Sequence, residues 1–220
     1  MRCLSPLSNQ EQVTLASAAA HALRDCFAGL STEGLAADIR RRAELAGWND
    51  DNAIIANLVG LLSQTHEATA GLIGNSVVAL LRDPALQERL RADTRLADAF
   101  VQEVALRDPP VQNTRRFVTQ ATTVAGVIMP PGAVILLLLG AAGRRDSCSP
   151  EPDKHKLPGF GHGRHACPGQ MLALTIATSA VKHLLALPLP LSVNELAWTY
   201  APSANGRLPR FFSTSIASQS

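Results

Sequence analysis

The stretch Phe160-Gly161-His162-Gly163-Arg164-His165-Ala166-Cys167-Pro168-Gly169 decides how the rest of the chain is read. A lone cysteine sits where a glycine-rich loop runs into a helix. Pro168 suits a first helical turn, because proline has no N–H to lose there. The unbonded N–H groups and positive dipole end of a helix N-terminus attract a negative ligand atom such as a thiolate. Gly161 and Gly163 let backbone pass close to something flat and bulky. Arg164 and His165 supply positive charge for acidic groups beside it.

Three other readings of these residues stand beside that one. A phosphate-binding Gly-x-Gly loop follows a strand and carries a third glycine at fixed spacing, and neither feature is present. A zinc site built on His162, His165 and Cys167 needs a fourth ligand, for which Cys148 is the candidate. The plainest alternative is a buried, inert cysteine.

The decapeptide resembles the haem-binding loop of the cytochromes P450, Phe-Gly-x-Gly-x-(His/Arg)-x-Cys-x-Gly, and matches every fixed position. The resemblance implies haem b (iron protoporphyrin IX), with Cys167 as axial iron ligand. It also implies that His165 contacts a propionate and that Phe160, Gly161 and Gly163 shape the cradle. Thiolate ligation pushes electron density onto iron and favours O–O cleavage.

Further segments extend the resemblance over nearly the whole chain. Gln64-Thr65-His66-Glu67-Ala68-Thr69 resembles the oxygen-activation stretch Ala-Gly-x-(Asp/Glu)-Thr-Thr. Glu67 falls on the acid position, Ala68 replaces the first threonine and Thr69 follows. An acid and a hydroxyl in mid-helix can pass protons through water to a reacting oxygen atom, so Glu67 and Thr69 are the candidate catalytic residues. The alternative is a solvated Glu67 and a Thr69 bonded back to its own helix.

Glu103 and Arg107, just before Asp108-Pro109-Pro110, resemble the family's Glu-x-x-Arg pair with one extra residue between them. Four residues apart they still share a helix face and form a structural pair, or else an ordinary surface ion pair. Arg116 stands where the family places a propionate-binding arginine, a role that suits a guanidinium. The other reading is an exposed strand arginine. In the loop before the cysteine, Pro152-Asp153-Lys154-His155 replaces a Pro-x-Arg-Phe-like element, and lysine lacks arginine's bidentate fork.

Spacing and turn signals give the remaining elements. Helices are expected over 10–30 and 35–46, and a long one from the caps at Asn49, Asp50 and Asp51 to about Leu81. Its apolar positions include Ile54, Leu58, Leu61, Leu62, Ile73 and Val77. Asp83-Pro84 opens a helix to Ala92, and another runs from Thr94 with Phe100, Val101 and Val104 inward. Strands are expected at 117–118, 123–129 and 134–139, a structureless loop over 144–165, a helix over 169–187, and closing strands at 197–201 and 210–212.

With 46% hydrophobic and 17% charged residues, the 220-residue chain reads as globular. A formal net charge of +2 gives no field for nucleic acid or a membrane surface. Arg40, Arg41 and Arg42 read as a solvated helix face. The four cysteines are irregularly spaced, so reduced thiols and a cytoplasmic location are expected. The longest apolar run, 133–139, is too short to span a bilayer, and Met1-Arg2-Cys3 does not open a signal peptide.

The expectation is a mainly α protein with small β-sheets, the C-terminal part of the cytochrome P450 fold. It would form one partial domain over 1–220: a helical lead-in 1–48, a long central helix 50–82, helices and sheet 83–143, cysteine loop and final helix 144–187, and closing strands 188–220. The function implied is that of a haem-thiolate monooxygenase, inserting one oxygen atom from O2 into a small organic substrate, with electrons from a ferredoxin-type partner. The alternatives are a non-catalytic remnant lacking the N-terminal half, with little or no haem binding, and a peroxide-using haem-thiolate enzyme.

Overall fold

The computed structural model describes residues 8–29, 34–146, 157–187, 192 and 196–213. Cys3, Cys148 and residues 152–155, weighed above, lie outside them. The chain divides into two units, Met1–Glu67 and Ala68–Ser220, with the boundary inside one long helix.

The first unit holds α1 (Gln10–Ala28), α2 (Leu35–Leu45) and the start of α3 (Asp51–Arg82). Asn9 and Gln12 close a reciprocal capping box at the head of α1. The Asp50 carboxylate accepts from the N–H groups of Asn52 and Ala53 at 2.9 and 3.2 Å, satisfying two open donors of α3. Ile54, Ile55 and Leu58 are buried. Leu61 and Leu62, expected on the inner face, are 45% and 47% exposed. The basic cluster is not wholly a solvated face, because half-buried Arg40 donates to the Phe27 carbonyl at 3.0 Å.

The second unit is built on the rest of α3, α4 (Pro84–Ala92), α5 (Ala97–Arg107) and α7 (Gln170–Ala186). The Asp83 carboxylate caps α4 by accepting from the Leu86 N–H at 2.9 Å. These helices share one core, in which Leu72, Leu80, Leu90, Val101 and Val181 are each no more than 1% exposed. Each such leucine contributes about 2 kcal/mol by leaving water. Val101 and Val104 point inward as expected, and Phe100 packs half-buried at the core's edge.

Among the described residues, three two-stranded antiparallel sheets complete the unit. β1 (Asn113–Phe117) pairs with β4 (Val134–Leu138), placing Arg116 opposite Ile135. β5 (Leu196–Tyr200) pairs with β6 (Pro209–Ser213), placing Trp198 opposite Phe211.

Two further sequence expectations are corrected. The single strand over 123–129 is a hairpin, β2 (Thr122–Val124) and β3 (Val127–Met129), reversed at Ala125-Gly126 with φ of 49° and 81°. A two-residue turn with both central φ positive matches strand twist, but Ala125 is not the Asn or Gly that normally signals it. Residues 139–146, of which 139 is read as a strand end and 144–146 as loop, form α6 (Leu139–Asp146). Its glycines hid the helix. Gly143 packs so closely on α5 that a Cβ there would collide with the Leu106 carbonyl.

The Ala125 conformation yields a test. Replacing Ala125 with Gly removes the left-handed penalty, about 1 kcal/mol, so Ala125→Gly is expected to raise the denaturation midpoint slightly. A drop in midpoint would contradict the turn assignment.

Candidate functional site

The cysteine loop is built by backbone chemistry. Pro158–Phe160 and Gly163–His165 each form one 3-10 turn. The Cys167 N–H donates to the Phe160 carbonyl at 2.7 Å and closes the segment between them. Gly161 has φ of 72°, and a Cβ on it would run into the His165 carbonyl. Only glycine holds this position without strain. Leu157 lies in the core and Phe160 packs against it, anchoring the loop at its root.

Cys167 is exposed, and it lies two residues before Gly169, the residue that opens α7. A Cβ placed on Gly169 would stand 3.9 Å from Sγ, so the sulfur lies beside the mouth of the helix. His162, Arg164 and His165 are exposed around it. Met171 and Leu172, in the first turn of α7, are 73% and 56% exposed. They lie off the buried stripe of Ala177, Val181 and Leu185, a departure from helical periodicity visible in the sequence but not singled out above. Among the described residues, no three His, Cys, Asp or Glu side chains converge as metal ligands.

Arg116 lies half-buried on β1. Its guanidinium donates to the Arg115 carbonyl at 2.9 Å and lies 3.4 Å from Thr114 Oγ1. Among the described residues, no carboxylate pairs with Arg116, Arg164 or His165. This donor set fits an iron porphyrin: an accessible sulfur for the metal, unpaired cations for carboxylates, and bare apolar side chains in the first turn of the helix that follows the cysteine.

The remaining candidates are placed less directly. Glu103 and Arg107 form an ion pair one turn apart on α5, with side chains 50% and 55% exposed, where such pairs stabilise little. Thr69 is 7% exposed and shares the buried face of α3 with Leu72 and Ser76. Glu67, two positions earlier and half-buried, leaves the helix about 200° around from it. No hydrogen bond among the described residues joins Thr69 or Arg116 to the cysteine loop.

Sequence reasoning missed the ion pair of Arg207 with Asp108, N···O 2.7 Å. The two side chains are 32% and 24% exposed, better shielded than Glu103 and Arg107. Nothing local in the sequence links positions so far apart.

Comparison with known proteins agrees with this geometry. The sequence pattern of the family described as Cytochrome P450 matches residues 42–186, more than half of the chain. The vitamin D(3) 25-hydroxylase of Pseudonocardia autotrophica is 35% identical over 170 residues, spanning 71% of this chain and 42% of that protein. The biotin biosynthesis cytochrome P450 of Bacillus subtilis is 35% identical over 144 residues, spanning 62% and 36%. Among solved structures, CalO2 superposes with a TM-score of 0.80 at 25% identity, covering 94% of this chain and 56% of its own. The chain therefore spans about half, or less, of the length of these proteins. Its mainly α architecture with small antiparallel sheets is the C-terminal part of their fold. On the match of pattern, relatives and fold together, the chain belongs to the cytochrome P450 family.

Proposed function

We propose that this chain carries the haem-thiolate centre of a cytochrome P450 monooxygenase. The reaction takes O2, two electrons and two protons, places one oxygen atom in a C–H or C=C bond of a small organic substrate, and releases the other as water. The observation that carries this reading is the exposed Cys167 sulfur at the mouth of α7, in a loop closed by its own backbone.

Cys167 would supply the sulfur that holds the iron of haem b. The group, when bound, supplies reductive activation of O2, and a thiolate donor favours O–O cleavage. Gly161 keeps a side chain out of the ring's approach. His165 and Arg116 hold the propionates by charge-assisted hydrogen bonds. Met171 and Leu172 give the macrocycle apolar surface to cover. Electrons come from a ferredoxin-type donor, by analogy with the family.

Ala68, which stands where the relay stretch would carry its first hydroxyl, favours one further reading. With the two side chains diverging around the helix, proton transfer between them needs intervening water. An enzyme that draws its oxygen from peroxide needs that relay less. No helix among the described residues is long and apolar enough to cross a membrane. The exposed free thiol of Cys26 fits a reducing compartment such as the cytoplasm.

The first test loads the chain with haem, reduces it and adds carbon monoxide. The wild type is expected to give the red-shifted Soret band of thiolate-ligated iron, and Cys167→Ser to lose it. A wild type lacking the band contradicts the proposal. Turnover driven by NAD(P)H and ferredoxin, against turnover driven by peroxide, separates the two readings.

A second test changes the cradle. Gly161→Ala is expected to weaken haem uptake at least about tenfold while far-ultraviolet circular dichroism is retained, because a side chain at this φ is strained and its Cβ meets a carbonyl. Unchanged uptake would show that the loop geometry is irrelevant.

A further inference from the structure

The lead-in to β1 is held by the loop that joins β5 to β6. The Gln112 N–H donates to the Asn205 carbonyl at 2.7 Å, and the Arg207 N–H to the Pro110 carbonyl at 2.8 Å. Val111 bridges Gly206, and Asn113 Nδ2 donates to the Ala204 carbonyl at 3.1 Å. The two segments thus run side by side up to the first residue of β1. Arg116 follows three residues later, about 10 Å along the strand.

One side chain ties the outer ends of this contact together. Arg207 Nε lies 2.7 Å from Asp108 Oδ1 as an ion pair that is not aligned as a hydrogen bond, and the guanidinium lies over the Tyr200 ring at 4.1 Å to its centroid and donates to the Tyr200 hydroxyl at 3.1 Å. Asp108 is fixed from its other side, because buried Asn75 of α3 donates through Nδ2 to the Asp108 carbonyl at 2.9 Å. Where α3 meets this junction there is no spare room. A Cβ on Gly71 would fall 2.5 Å from Leu208 and 2.7 Å from Pro110. A guanidinium stacked on an aromatic ring and paired with a carboxylate has few alternative positions.

We propose that Arg207 is a positioning residue: by clamping the β5–β6 loop onto the lead-in to β1, it sets where the Arg116 guanidinium stands to receive a carboxylate of the porphyrin. This rests on the haem-thiolate reading above. It assigns to the Asp108–Arg207 pair the bracing of the site that the exposed Glu103–Arg107 pair, confined to one helix, does not provide.

The test compares haem with its dimethyl ester, which lacks charged carboxylates, by Soret titration. Wild type is expected to prefer haem by about a hundredfold, about tenfold for each charge-assisted bond lost from Arg116 and His165, and Arg116→Gln to lose its own tenfold share. Arg207→Gln and Asp108→Asn are expected to cut that share to within about threefold, with Arg207→Lys recovering part of it. General loss of stability would weaken both ligands alike and leave the ratio untouched. A full preference retained in Arg207→Gln, with Arg116→Gln losing its share, overturns the positioning role and leaves the haem reading intact. Failure of wild type to bind haem overturns both, whereas equal binding of acid and ester overturns the positioning role and leaves the haem reading intact. If Arg207→Gln loses its helical signal, the ratio in Arg207→Lys decides: a drop supports the role and an unchanged value overturns it.

Discussion

The hydrogen bond from the Cys167 N–H to the Phe160 carbonyl constrains everything proposed for this chain. It can form because Gly161 turns through a φ of 72° beside the His165 carbonyl. It is held because Leu157 and Phe160 root the loop in the core shared by α3, α4, α5 and α7. A sulfur on a free loop would sample many positions. On this closed loop it has one, beside the N-terminus of α7, where backbone dipoles favour negative charge. Packing energy gathered far from the sulfur is thereby converted into a fixed ligand direction.

Sequence and structure meet unevenly. The cysteine loop was legible because its chemistry is local: turn glycines, proline and cysteine lie within ten consecutive residues. The helices were legible for a similar reason, since Asp50 and Asp83 cap where caps were expected. What escaped was tertiary. Ala125 occupies a left-handed turn position that its side chain does not advertise. The helix over Leu139–Asp146 depends on Gly143 fitting against a neighbouring backbone, which no propensity records. Asp108 and Arg207 meet only because the β5–β6 loop runs beside the lead-in to β1.

The sites carried over by resemblance differ in how much physical support they have. Cys167, Phe160 and Gly161 are bound into one geometry, and His165 is part of it through its carbonyl. Arg116 has charge to offer and no carboxylate partner among the described residues. Thr69 is turned into the packed face of α3, and Glu103 and Arg107 lie in solvent. β4 has an unbroken apolar run, yet Val134, Leu136 and Leu138 are each more than half exposed. Such runs belong to strands covered on both faces. This agrees with a chain that spans about half the length of its structural neighbours.

The account stands or falls on the atom that meets the iron. Iron K-edge X-ray absorption of the haem-loaded chain reads that atom without reference to turnover. The account predicts one sulfur among the nearest neighbours of the metal, supplied by Cys167. A coordination shell containing only nitrogen and oxygen would contradict it.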